Sequence, residues 1–250
     1  MPQLLKTTAL VLESIRWHES SKIVTLYTRE EGVLKVIARG ALRNKSPFGG
    51  RLETLYFIQA VIAQKESREL QILTQVELLD PFEALRADLH RLPYALAVAE
   101  LLKKVFEKGH PDTVFFDFVL VVLRALARGR QPRSVFIYFL LKFVSFLGFK
   151  PDLSRCRSCG RSDFPQGAFF VFKEGALLCP SCSADTALSV PLSEQAIYFL
   201  QILQKFNHRK VDTFFWPETL PAEVVSVLLR YLSFHLGREI VLQSLKLIPD

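Results

Sequence analysis

Two Cys-x-x-Cys pairs constrain this chain more than any other feature: Cys156-Arg157-Ser158-Cys159, nineteen intervening residues, then Cys179-Pro180-Ser181-Cys182. The 250 residues contain no other cysteine. Two thiolates separated by two residues chelate one ion through a tight turn. Two such turns supply a tetrahedral four-sulfur shell, and the interval between them lies in the range used for zinc. Gly160 relieves the first turn and Pro180 stiffens the second. Between the pairs, Ala168–Phe172 and Ala176–Leu178 flank Lys173-Glu174-Gly175, so a hairpin bridges the two knuckles. Residues 151–184 therefore read as a zinc ribbon insert with one structural Zn2+. The competing readings are two disulfides, which a reducing compartment disfavours, and free thiols, which the paired spacing disfavours. A redox Cys-x-x-Cys explains one pair but not two. A closed four-cysteine shell leaves no open position for water, so the expected role is structural and not catalytic.

The rest of the chain divides by periodicity into an α+β multidomain protein. In residues 1–80, five short segments rich in β-branched and aromatic residues are bounded by turn signals: Thr8–Leu12, Lys22–Thr28, Val33–Ala38, Leu55–Ile62 and Leu70–Thr74. Five strands in this length fit a small closed barrel such as an OB-fold, although an SH3-like barrel presents the same signals. From Pro81 the pattern becomes helical. Helices are expected from Pro93 to Gly109, from an Asp112 cap to Gly129, from Pro132 to Gly148, from a Ser193 cap onward, and from near Pro221 to Gly237. The third is apolar nearly all round, as a central buried helix should be. Residues 81–150 and 185–250 are thus expected to form one helical domain around the ribbon.

Half of the residues are hydrophobic and 21 are Phe, enough for a sizeable core. The N-terminus lacks the uncharged core of a signal peptide. The apolar stretches Val114–Leu123 and Val135–Phe149 are interrupted by Asp117 and Lys142 and fall short of a membrane span. The expectation is a cytoplasmic, nucleoid-associated protein without a membrane partner. The net charge of +7 favours polyanion partners, and it is concentrated. Lys35, Arg39, Arg43, Lys45 and Arg51 occur with no acid among them, and Arg124 to Arg161 holds nine basic residues against Asp152 alone.

Enzyme signatures fail one by one. No histidine has Glu two residues later beside a Pro-Cys-x-x-Cys. Asn44 and Arg39 stand where a P-loop needs glycine before Lys45-Ser46. Gly-x-Ser-x-Gly and His-Glu-x-x-His are absent, and the five histidines are isolated from one another. The chain reads as a binding protein.

The loop Arg39-Gly40-Ala41-Leu42-Arg43-Asn44-Lys45-Ser46-Pro47-Phe48-Gly49-Gly50-Arg51 joins two of the expected barrel strands. Barrels of this type bind single strands with cations and stacking aromatics. Lys35, Arg39, Arg43, Lys45 and Arg51 are accordingly expected to contact DNA phosphates, and Phe48, taken as exposed, to stack on a base. A solvated mobile loop is the plain alternative, and Phe48 could equally be an apolar anchor.

These residues resemble the bacterial recombination mediator RecO family. The resemblance is carried by Trp17-His18-Glu19-Ser20-Ser21-Lys22-Ile23-Val24-Thr25-Leu26-Tyr27-Thr28-Arg29-Glu30-Glu31-Gly32, by the Arg39–Arg51 loop, and by Leu147-Gly148-Phe149-Lys150-Pro151-Asp152-Leu153 leading into Cys156-x-x-Cys159-Gly160. The order barrel, helices, zinc insert, helices matches over the whole chain. One departure is Leu55-Tyr56-Phe57, where the family pattern has proline before the aromatic. The resemblance implies an N-terminal OB-fold, binding of single- and double-stranded DNA, and annealing of complementary strands. It also implies that RecR and this protein together load RecA onto strands coated by single-stranded DNA-binding protein (SSB), whose acidic tail such proteins recognise. Arg124, Arg128, Arg130 and Arg133, at the junction of two apolar helices, suit that tail, further DNA, or plain solvent. A zinc-ribbon adaptor of transcription or translation, binding RNA or protein, is the rival reading.

Overall fold

The computed structural model describes residues 3–106, 111–129, 131–183, 189–207, 221 and 223–249. They divide into two compact units, Met1–Arg128 with Leu242–Asp250, and Gly129–Val241.

In the first unit β1 (Gln3–Trp17), β2 (Ser21–Thr28), β3 (Gly32–Ala38), β4 (Phe57–Gln64) and β5 (Gln71–Asp80) close a barrel in the order β1-β2-β3-β5-β4. β1 is antiparallel to β4 and β3 is parallel to β5, the five-stranded OB-fold arrangement. Alternation decides the two faces. Val24, Leu26, Leu34, Val36, Ala38 and Leu73 fill the barrel, while their chain neighbours point outward. Two strands are longer than their apolar segments suggested. β1 extends past the barrel into a hairpin with β2, after a register shift between Val11 and Glu13, and β5 continues to Asp80. β4 begins at Phe57 because Leu55 is buried in a left-handed conformation (φ 73°) that ends strand geometry.

α1 (Glu83–Arg86), α2 (Leu92–Val105) and α3 (Thr113–Arg128) complete this unit. Pro93 lies in the first turn of α2, as expected, and the helix stops at Val105; Gly109 falls outside the described residues. The Asp112 carboxylate caps α3 by accepting from the Phe115 N–H at 2.7 Å. Tyr27, on the outer face of β2, stacks on Phe106 (ring centroids 5.8 Å apart, planes 10° apart) and meets Phe116 at 5.3 Å, so the lower outer wall of the barrel is covered.

The second unit holds α4 (Pro132–Phe146), β6 (Asp152–Cys156), β7 (Ala168–Val171), β8 (Ala176–Leu178), β9 (Ser189–Leu192), α5 (Glu194–Lys205) and α6 (Glu223–Leu236). Every residue of α4 from Ser134 to Leu141 is buried, as its all-round apolar pattern requires. Ser193 caps α5 by accepting from the Ala196 N–H at 3.3 Å. The small sheet runs β6-β8-β7-β9; β9 was not anticipated, because its four residues become a strand only by pairing with β7. Side-chain amides of α5 hold the β6 end of the sheet, Gln201 donating to the Leu153 carbonyl at 2.6 Å and Gln204 to that of Pro151 at 2.7 Å. Tyr231 of α6 donates to the Phe149 carbonyl at 3.1 Å and packs edge-on against Phe170 at 4.9 Å. Gly175, in the β7–β8 turn at φ 58°, is required there, since a Cβ would collide with the Tyr231 hydroxyl. The division between the units falls between α3 and α4, within 81–150. No helix among the described residues is long and apolar enough to cross a membrane.

Candidate metal centre and nucleic-acid interface

The sheet of the second unit brings the two cysteine pairs together. Cys156 ends β6 opposite Leu177 of β8, and the Arg157 N–H donates to the Leu177 carbonyl at 2.8 Å. The chain then turns back through Gly160 (φ 75°), whose N–H donates to the Cys156 carbonyl at 2.9 Å. Cys179 follows β8 directly, and a 3-10 turn over Pro180–Cys182 returns the Cys182 N–H to the Cys179 carbonyl at 2.9 Å. All four Sγ atoms lie within 4.8 Å of one another, with Cys159 and Cys179 Sγ 3.8 Å apart. A tetrahedral ion with metal–sulfur bonds of about 2.3 Å separates its ligands by about 3.8 Å, whereas a disulfide needs about 2.05 Å. The four thiols are free of disulfides, and this cluster can hold one metal ion.

Its electrostatics favour a cation. Burial pushes the Cys156 thiol up, but N–H groups of Cys159, Cys179 and Ser158 aimed at the sulfur outweigh that and bring it down to about 6. Cys182 accepts a stabilising bond from Ser158, yet the crowding thiols of Cys179 and Cys159 push it up to about 11. A divalent ion among the four sulfurs would offset the negative charge that thiolate ligands bring together.

The Arg39–Arg51 loop is ordered, and Phe48 is the reason. Its ring is 5% exposed and belongs to the barrel core with Leu52. The expectation of an exposed, base-stacking Phe48 is therefore corrected: burying a Phe ring against the barrel is worth more than leaving it in water. Successive turns follow from this anchor, with N–H donors of Arg43, Ser46, Gly49 and Arg51 reaching carbonyls three residues back at 2.9–3.2 Å. The Leu42 N–H donates to the Ser20 carbonyl at 2.8 Å and ties the loop to the β1–β2 hairpin. Arg39, Arg43, Lys45 and Arg51 are exposed, and among the described residues none has a carboxylate within 4.0 Å. The nearby acid Glu53 is taken by Lys22 at 2.8 Å. The Arg51 guanidinium donates to the Pro47 carbonyl at 3.1 Å. Lys35, on the outer face of β3, is exposed and lines a pocket with Glu13, Glu69 and Lys103, in which Glu13 is held by Lys103 at 2.6 Å.

The second cluster is divided. Arg124 and Arg128 are exposed and four residues apart on α3 of the first unit. Arg133 is half-buried in the first turn of α4 in the second unit, and Arg130 lies outside the described residues.

The family profile described as Recombination protein O N terminal matches residues 1–82, and Recombination protein O C terminal matches 86–243. The chain belongs to the RecO family. Several proteins named DNA repair protein RecO are similar over nearly their full lengths. That of Pelotomaculum thermopropionicum is 31% identical, covering 95% of this chain and 91% of the relative. That of Anaeromyxobacter dehalogenans is 30% identical over 94% and 93%, and that of Caldanaerobacter subterraneus subsp. tengcongensis 29% over 94% and 94%. The RecO N-terminal match ends just after β5, so it coincides with the barrel, and the C-terminal match spans the ribbon. The resemblance read from the sequence motifs holds, and with it a place in DNA repair and recombination.

Sequence reasoning did not single out one further element of the RecO barrel. Ile15 and Trp17, on the part of β1 that extends past the core, are 47% and 43% exposed. Their alternation with Ser14 and Arg16 was the available signal.

Proposed function

We propose that this protein is a recombination and repair mediator that binds single- and double-stranded DNA and anneals complementary strands. With RecR it helps load RecA onto strands coated by SSB, and one structural Zn2+ at Cys156, Cys159, Cys179 and Cys182 holds the ribbon. The observation that carries the DNA-binding reading is the ordered loop that presents Arg39, Arg43, Lys45 and Arg51 without acidic partners among the described residues. Lys35 joins them from β3. Cations fixed in this way neutralise phosphates without first breaking ion pairs. Lowering the mutual repulsion of two polyanions is also what strand annealing needs. The zinc assignment is supported by four soft thiolates at tetrahedral separation, a donor set that suits zinc over harder divalent ions.

Salt-dependent binding and annealing test this together. Each phosphate contact adds about 0.7 to the magnitude of the log–log salt slope for single strands. Arg43→Ala with Lys45→Ala should therefore flatten the slope by about 1.4, weaken oligonucleotide affinity and slow annealing of complementary strands. An unchanged slope removes this loop from the interface, and a wild-type chain that does not accelerate pairing removes the annealing role.

Arg124 and Arg128, four residues apart and exposed on one face of α3, are assigned to the acidic SSB tail, with further DNA contact as the second reading. Titration of a short acidic peptide ending in an apolar residue should show at least a few-fold loss in Arg124→Ala with Arg128→Ala, within the roughly 1 kcal/mol typical of exposed charge pairs. Equal affinity in both chains rejects the assignment.

A further inference from the structure

Four isoleucines lie in register straight across the outside of the barrel. Ile15 of β1 opposes Ile23 of β2, Ile23 opposes Ile37 of β3, and Ile37 opposes Ile72 of β5. Their chain neighbours Val24, Val36, Ala38 and Leu73 point into the core, so the row faces outward. Lower on the same wall, Leu10 and Tyr27 are buried, with Phe106 stacked on Tyr27 and Phe116 tilted against it. Along the isoleucine row the cover thins toward the hairpin: Ile23, Ile37 and Ile72 are half-buried, whereas Ile15 and Trp17 are exposed. Trp17 stands two residues beyond Ile15, hence on the same face, opposite Ser21 at the hairpin end. Its ring touches His18 only at an edge-on 4.8 Å, and its indole N–H has no hydrogen-bond partner among the described residues.

The charges around this row choose its occupant. Lys35 shares the outer face of β3, Arg39 follows directly after that strand, and the loop bearing Arg43 and Lys45 is tied to the Trp17 hairpin through Leu42 and Ser20. An apolar strip with an upright aromatic at one end and a cationic margin matches a chain of flat bases joined by phosphates. The strand β2–β3 face of such barrels is where oligonucleotides bind, and every base offers a π-face to an aromatic ring. We infer that Trp17 is the base-stacking platform for single-stranded polynucleotide on the outer β1–β2–β3 face, in the role first expected of Phe48. The inference rests on the proposed DNA binding and adds a strand preference to it. Phosphate contacts serve single strands and duplexes alike, whereas bases paired inside a duplex cannot reach Trp17.

Fluorescence anisotropy with a labelled single strand and its duplex, on the full chain, separates the two ideas. Trp17→Ala should weaken single-strand binding roughly 5- to 150-fold, the range for losing one stacked base. Duplex affinity should stay within about twofold, which also certifies the fold. Trp17→Phe keeps a ring and should retain most single-strand affinity, while the base-induced quenching of tryptophan emission assigned to Trp17 disappears. If Trp17→Ala binds single strands as the parent does while Arg43→Ala with Lys45→Ala does not, stacking at Trp17 is overturned and the loop interface stands. Equal losses on single strand and duplex also overturn it, since a general structural role would do that. If the parent chain binds neither oligonucleotide, the underlying DNA-binding reading fails instead.

Discussion

A Cys156→Ser chain is expected to lose its metal and, with it, the ordered ribbon. Cys156 is buried, ends β6 and receives the Cys179 N–H on its sulfur at 3.4 Å, so it sits at the join of the two knuckles. A structural four-sulfur zinc site binds with an apparent free energy of about 10–16 kcal/mol in small peptides. That is as large as the whole stability of a typical domain, about 5–15 kcal/mol. The strands the site joins are short, three to five residues each, and cannot hold register alone. Metal analysis should find one zinc per parent chain and almost none in the variant. Limited proteolysis under reducing conditions should open cleavage sites between residues 151 and 183, and a strong chelator should do the same to the parent. Because α5 and α6 fasten the sheet through Gln201, Gln204 and Tyr231, the thermal transition of the second unit should fall as well. A Cys156→Ser chain with full zinc, or a chelated parent with an unchanged proteolysis pattern, would show that the four sulfurs do not hold the ribbon together.

The second large effect belongs to Phe48. Phe→Ala in a packed core costs about 3–5 kcal/mol, from lost transfer energy and the cavity left behind. Phe48→Ala should therefore shift the urea midpoint of the first unit strongly, because the ring both fills the barrel and anchors the loop. Phe48→Leu, a smaller change of volume, should cost less than half as much. Oligonucleotide affinity should drop in Phe48→Ala only as far as the loop loosens, and should recover in Phe48→Leu. The opposite result, intact stability with a single-strand defect in both variants, would return Phe48 to the surface as a stacking residue.

The fold was largely legible from the residues. The four-cysteine cluster was written in the cysteine spacing alone, since a Cys-x-x-Cys turn fixes its two sulfurs locally and leaves the sheet only to bring the two turns face to face. Barrel strands announced themselves through alternation, and helix starts through Pro93, Asp112 and Ser193, because caps and periods are local physics. Errors arose where local signals compete. β1 and β5 ran long because polar residues continue a strand once a neighbour supplies the ladder. Leu55 looked like strand sequence, but its left-handed backbone delays β4 to Phe57.

The sequence by itself determined which residues could bind: four thiols at chelating intervals and a run of cations without acids. Tertiary structure decided which way those residues point. A loop has no period, so nothing in Gly40–Gly50 says that Phe48 turns inward; only the barrel opening beneath it does. Likewise, Ile15, Ile23, Ile37 and Ile72 are scattered along the chain and become one row only through closure, in which β3 pairs in parallel with β5 across a long connection. Register between strands distant in sequence is a property of the closed barrel, and so, therefore, is the surface it presents to a ligand.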